Sequence, residues 1–85
     1  MTRIAKLYAS VANSPRASLS FRDFIRLVEA FGFVELRQRG SHRCFRHPAL
    51  AELLVIQPRG ANAKTYQVEA FLDIIVKRGL RLDDQ

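Results

Sequence analysis

Read for spacing alone, the chain falls into segments that repeat on two different periods. Ile4, Leu7, Tyr8 and Val11 recur at helical spacing, with Arg3, Lys6 and Ser10 on the opposite side, so residues 1–13 form a short amphipathic helix. Asn13-Ser14-Pro15 stops it, because the residue before a proline is pushed out of the helical region. A helix this short is marginal alone, so it packs on the rest of the domain or on a partner. Residues 14–19 read as a linker. Ser20 is placed as an N-cap with Asp23 three residues on, as in a capping box. Phe21, Phe24, Ile25, Val28 and Phe31 then make an apolar stripe with Leu27 beside it, and Gly32 sits where a left-handed residue ends a helix.

From residue 33 the period drops to two. Val34 and Leu36 alternate with Glu35, Arg37 and Arg39, which predicts a strand with one buried side and one wet, basic side. Gly40-Ser41 predicts a tight hairpin turn. Residues 42–47 resume a strand in which Phe45 points to the core and His42, Cys44 and Arg46 share the other face. Pro48-Ala49 turns the chain again. Residues 51–56 end in Leu53-Leu54-Val55-Ile56, a strand apolar on both sides whose inward face the pattern does not choose. Residues 58–64 read as a loop, and Thr65 as the N-cap of a last helix with Val68, Phe71, Leu72 and Ile75 on its stripe. Lys77 and Arg78 suit that helix's C-terminal dipole, Gly79 ends it, Leu80 folds back on it, and the polar residues 81–85 fray. Helix, helix, three antiparallel strands, helix is an α+β order, with helices layered on one face of a small sheet.

The length of 85 residues allows one domain with a single core, here a core over 20–80 preceded by the helical extension 1–19. The hydrophobic fraction of 48% is that of a globular chain. No apolar run reaches the roughly 18 residues of a membrane span, the N-terminal apolar residues are spaced rather than continuous, and the single Cys44 cannot form an internal disulfide. The expectation is a cytoplasmic protein with no membrane contact.

Charge changes the picture more. Fourteen basic residues, most of them arginine, stand against eight acids, for a net charge of +6. No acid lies between Glu35 and Glu52, a stretch holding Arg37, Arg39, Arg43, Arg46, His42 and His47; Arg59 and Lys64 follow before Glu69. A polyanion would dock on the middle of the chain. His42, on the wet face of a basic strand, is the candidate catalyst, since imidazole titrates near neutrality and suits general acid–base work. RNA carries its own nucleophile, the 2′-OH, so cutting it requires a base, cations for the developing phosphorane charge, and placement. Zinc is a poor fit to His42, Cys44 and His47, because His47 falls on the opposite side of the strand and no fourth ligand is present. Cys44 reads as small strand filler. Arg59, Gly60 and Lys64 lead into a helix and offer a phosphate seat. No G-x-x-x-x-G-K-[ST] is present, which leaves nucleotide hydrolysis unsupported.

The run Gly40-Ser41-His42-Arg43-Cys44-Phe45-Arg46-His47-Pro48 resembles the G-S-H-x-x-F-x-H-P run of the HicA family of bacterial toxin ribonucleases. Upstream, Leu27-Val28-Glu29-Ala30-Phe31-Gly32-Phe33 is similar to the family's helix-Gly-aromatic entry to its first strand; downstream lie Gln57-Pro58 and a closing helix ending Gly79-Leu80. The resemblance covers about residues 20–80. It implies a double-stranded-RNA-binding-domain-like α-β-β-β-α fold and metal-independent cleavage of mRNA with no cofactor. It implies His42 as the essential residue, with Gly40 and Ser41 shaping its turn, and a tight HicB-type antitoxin partner on the active face. The segment after the third strand has no histidine, unlike members with a V-P-x-H pattern there. The expectation is an endoribonuclease with His42 as general base and Arg37, Arg39, Arg43, Arg46, Arg59 and Lys64 on RNA phosphates. A non-catalytic RNA-binding module and a protein-interaction domain of the same fold are the alternatives.

Overall fold

The computed structural model describes residues 3–82; the first two residues of the expected first helix and the last three of the expected tail lie outside them. The elements are α1 (Arg3–Asn13), α2 (Phe21–Ala30), β1 (Val34–Arg39), β2 (His42–Arg46), β3 (Leu53–Ile56), β4 (Pro58–Arg59), β5 (Asn62–Ala63) and α3 (Thr65–Arg78). β1, β2 and β3 form an antiparallel sheet with β2 in the centre, and β4 and β5 form a separate small hairpin. From α2 to α3 the α-β-β-β-α order of a double-stranded-RNA-binding-domain-like fold is present, with β4–β5 as an addition. The segment read as a loop over 58–64 is thus partly paired. Among the described residues no helix is long and apolar enough to cross a membrane.

The core is built where the helical stripes meet Phe45. Phe24, Phe31, Phe45, Phe71, Leu27, Val28 and Ile56 are fully buried. Phe71 of α3 takes Phe24 of α2 and Phe31, the C-cap of that helix, edge-on, each at 5.7 Å between ring centres, a geometry that adds about 1 kcal/mol per pair beyond burial. The α1 stripe lies on this same core: Val11 is buried, Ile4, Leu7 and Tyr8 pack against it, and the Tyr8 ring meets Phe31 edge-on at 5.0 Å. The apolar face of α1 is therefore occupied within the domain.

The caps explain where the helices start and stop. The Ser20 hydroxyl accepts the Asp23 N–H at 3.1 Å, satisfying one of the free donors of α2. Gly79 takes the left-handed conformation and the Leu80 N–H reaches Ile75 O at 3.0 Å, the Schellman closure of α3. Thr65, expected as the N-cap of α3, is instead its first helical residue; Lys64 occupies the cap without a side-chain hydrogen bond.

Strand register decides the faces. Phe45 pairs with Glu35 and Leu54, and Arg43 with Gln38 and Ile56, so these residues share the inner, helix-covered side. Cys44 pairs with Arg37 and Val55, and His42 with Arg39, on the outer side. This resolves β3: Leu54 and Ile56 are buried, while Leu53 and Val55 are 45% and 49% exposed. It also corrects β1. Val34 and Leu36, expected inward, are 58% and 48% exposed, and Glu35, expected outward, is half-buried. The cause is a β-bulge between Glu35 and Arg37. The extra residue, Leu36, resets the two-residue alternation, so Arg37 and Arg39 emerge on the outer side.

Candidate active site

The outer face is held in place by the β1–β2 hairpin. Arg39 pairs with His42 across the two-residue turn Gly40-Ser41. Gly40 has φ +57° while Ser41 does not have a positive φ, the sign pattern of a type II′ turn, whose first central position requires glycine. A Cβ on Gly40 would meet nothing within 4 Å, so the requirement is conformational and not steric. Gln38 Nε2 donates to Gly40 O at 3.1 Å, bracing the turn from the strand. His42 is the first residue of β2 and is exposed.

Arg37, Arg39, His42, Cys44 and Val55 line one shallow recess of about 170 Å³. Its floor is the buried Cys44 thiol, Val55 supplies an apolar side, and the two arginines and His42 supply the polar one. The turn thus brings Gly40, Ser41 and His42 together with Arg37 and Arg39. Arg46 lies further along the same face, paired with Val34 and Leu53. Arginines 37, 39 and 46 are all exposed. No carboxylate bonds to any of the three among the described residues.

Three candidates stand elsewhere. Arg43 is turned inward. Its Nε and Nη2 donate to the two carboxylate oxygens of Glu35 at 2.9 and 2.7 Å. Its guanidinium carbon lies 6.0 Å from the centre of the Phe45 ring. The hydrogen bonds from Arg43 hold the Glu35 carboxyl below its ordinary pKa despite the opposing effect of burial; the same bonds raise Arg43. Arg43 is committed to a carboxylate on the wrong face and does not belong with the expected phosphate ligands. Arg59 and Lys64 line a separate cleft with Arg16, Gln57 and Tyr66. His47 is structural: its Nδ1 accepts the Ala49 N–H at 3.0 Å and its ring meets Phe33 edge-on at 5.2 Å. Among the described residues no three of His, Cys, Asp and Glu are grouped as metal ligands would be.

The sequence reading did not place Val55 in the site. Four apolar residues in a row carry no period, and only the pairing with Cys44 sets which way Val55 faces. For Cys44 the signal was present, since the alternation along β2 already put it beside His42.

The arrangement can hold an anion against an imidazole: a recess floored by a thiol, with guanidinium groups on a flanking strand and no acid on its lining. The outer face also exposes Val34, Leu36, Leu53 and Val55 together, more aliphatic surface than a merely solvated sheet carries. Among curated proteins and among solved structures, none matches the chain significantly. The family model described as the HicA toxin of bacterial toxin–antitoxin systems matches residues 21–75, from the first residue of α2 through most of α3 and so across the whole hairpin that carries His42. With that match spanning well over half of its length, the chain belongs to the HicA family of bacterial toxins.

Proposed function

We propose that this toxin is an endoribonuclease that cleaves mRNA with His42 as general base and without a metal cofactor. The observation that carries the reading is the placement of an exposed imidazole in a recess lined by Arg37 and Arg39. A neutral ring nitrogen of His42 takes the proton from a ribose 2′-OH. The 2′-oxygen then bonds to the adjacent phosphorus and the P–O5′ bond breaks, leaving a 2′,3′-cyclic phosphate and a 5′-hydroxyl that takes its proton from the imidazolium or from water. Arg37 and Arg39 oppose the charge that builds on the non-bridging oxygens. Arg46, further along the face, serves a neighbouring phosphate.

A HicB-type antitoxin covers this face when the toxin is silent. The four half-exposed aliphatic residues among arginines support that role, because they fit a partner presenting apolar side chains with acids around them.

The test uses purified protein and end-labelled RNA in EDTA. Wild type should cleave and yield 2′,3′-cyclic phosphate ends, and a 2′-deoxy substitution at the scissile nucleotide should stop cleavage there. His42→Ala should cut about 10² to 10⁴ times more slowly. Equal cleavage by His42→Ala, or cleavage of the 2′-deoxy substrate, would remove the mechanism. RNA binding by a wild type that does not cleave would leave a non-catalytic module.

A further inference from the structure

A second basic concavity lies at the turn end of the sheet, apart from the recess that holds His42, Arg37 and Arg39. In the antiparallel pairing of β2 with β3, Arg43 stands opposite Ile56, so Gln57 comes level with His42. Arg59 follows two residues later, about 7 Å of extended backbone. From there a cleft of about 590 Å³ opens, lined by Arg16, Gln57, Arg59, Lys64 and Tyr66.

This cleft is built rather than incidental. The β4–β5 hairpin that carries Arg59 is tied to the entry of α2 by backbone hydrogen bonds, Phe21 N–H to Ala61 O at 2.9 Å and Ala63 N–H to Leu19 O at 2.8 Å. Arg16 is drawn to the same side by Glu69 of α3, at 3.1 Å. Gln67, the one buried polar residue among those described, works in both directions. Its Oε1 accepts the Gln57 N–H at 3.1 Å and its Nε2 donates to the Tyr66 hydroxyl at 3.2 Å. The Tyr66 side chain is thereby held by its hydroxyl while the residue stays 64% exposed. Arg59 and Lys64 have no carboxylate partner among the described residues. An oriented, exposed aromatic ring among cations is the arrangement that stacks an unpaired base and holds its phosphates.

We infer that this cleft is a second RNA subsite, in which Tyr66 stacks an unpaired base flanking the cleavage position while Arg59 and Lys64 hold the adjoining phosphates. The subsite makes the substrate a single-stranded segment that turns past the Gly40-Ser41 hairpin from the His42 recess into the cleft. Sequence spacing gave no sign of Tyr66 or Arg16, because their association with Arg59 depends on the hairpin and on Gln67. The inference rests on the RNA-cleaving reading for the identity of the ligand, and its test is separable from that reading.

The experiment measures equilibrium binding in the His42→Ala background, so that RNA stays intact. The probe is a single-stranded 12-mer carrying 2-aminopurine, titrated by anisotropy and by base fluorescence. Tyr66→Ala should weaken binding about tenfold and restore the 2-aminopurine emission that stacking quenches, while Tyr66→Phe, which keeps the ring but gives up the hydroxyl that Gln67 holds, should retain the quenching and most of the affinity. Arg59→Ala and Lys64→Ala should each lower the slope of log Kd against log salt by about one. Circular dichroism melts check that each variant is folded. If Tyr66-dependent quenching persists although wild type cuts no RNA, the subsite stands and the nuclease reading falls. If wild type cleaves RNA but Tyr66→Ala leaves affinity and quenching unchanged, the subsite is overturned and the nuclease reading stands. Loss of antitoxin binding alone in Tyr66→Ala would give the ring to a protein interface and overturn the subsite as well.

Discussion

His42 and Arg43 are neighbours in the chain and belong to opposite faces of one strand. On the outer face, Arg37, Arg39 and Arg46 stand exposed without bonded carboxylates. On the inner face, Arg43 makes two hydrogen bonds to Glu35 against the Phe45 ring. The four arginines sit within ten residues and look alike by composition, yet only three are free to meet an anion. A cluster of charge in sequence identifies a polyanion-binding segment; strand register identifies which of its members can bind. The sharpest test of that contrast pairs His42→Ala with Arg43→Ala. The first should lose cleavage by about 10² to 10⁴ and melt like wild type, since its side chain is exposed. The second should melt earlier and keep the salt slope of RNA binding, because it contacts no phosphate.

The outer arginines come next in size. Arg37→Ala and Arg39→Ala, at the lining of the recess, should each lower kcat/KM about tenfold, with the larger part in kcat if they act on the transition state. Arg46→Ala, away from the recess, should act mainly through affinity and reduce the salt slope by about one. If Arg43→Ala proved as damaging to RNA binding as Arg37→Ala, the assignment of faces would be wrong.

A smaller effect tests how the outer face is held. Gly40 adopts φ +57° with open space where a Cβ would go, so Gly40→Ala carries only the conformational cost of an alanine at positive φ, about 1 to 3 kcal/mol. Thermal unfolding should report that loss. Activity should fall further than stability accounts for, because His42 lies two residues away and a changed turn re-aims the imidazole. Gly40→Asn, a residue type that primed turns accept at positive φ more readily than alanine, should recover part of both.

How much of this was legible beforehand follows from which signals are local. The stripes of α2 and α3, the Ser20 cap, the Gly40-Ser41 turn and the exposure of His42 all depend on residues within a few positions of one another, and all are present in the structure. The bulge at Leu36 is not local. Strict alternation sends Val34 and Leu36 inward, and nothing within β1 signals that one residue will be left out of the ladder. Only pairing with β2 does so: Phe45 must be buried and faces Glu35, which puts Glu35 beside Arg43. For the same reason Arg43 could not be separated from its neighbours by charge, and Val55 could not be oriented within Leu53-Leu54-Val55-Ile56. The short β4–β5 hairpin escaped because two-residue strands carry no period; its register is supplied by residues 19–21.

The ion pair that distinguishes the inner face gives the smallest prediction and the most specific one. Arg43 and Glu35 are about one-quarter exposed at their side chains, so their two charge-assisted hydrogen bonds should contribute on the order of 1 kcal/mol. The hydrogen bonds from Arg43 depress the Glu35 pKa below its ordinary 4.5. A carboxyl whose folded pKa is lowered stabilises the fold above its unfolded pKa, and that stabilisation is lost as pH falls through the folded value. The raised Arg43 leaves the physiological range untouched, because a raised base contributes fully below its already high ordinary value. The difference in unfolding free energy between wild type and Arg43→Ala should therefore be constant from about pH 8 to pH 5 and should shrink as pH falls below 4.5. Arg37→Ala, whose side chain bonds to no carboxylate, should show no such closing with acid. A gap between wild type and Arg43→Ala that stayed open at pH 2 would mean that Arg43 stabilises the sheet through packing on Phe45 rather than through Glu35. The inner face would then be distinguished from the outer by burial alone.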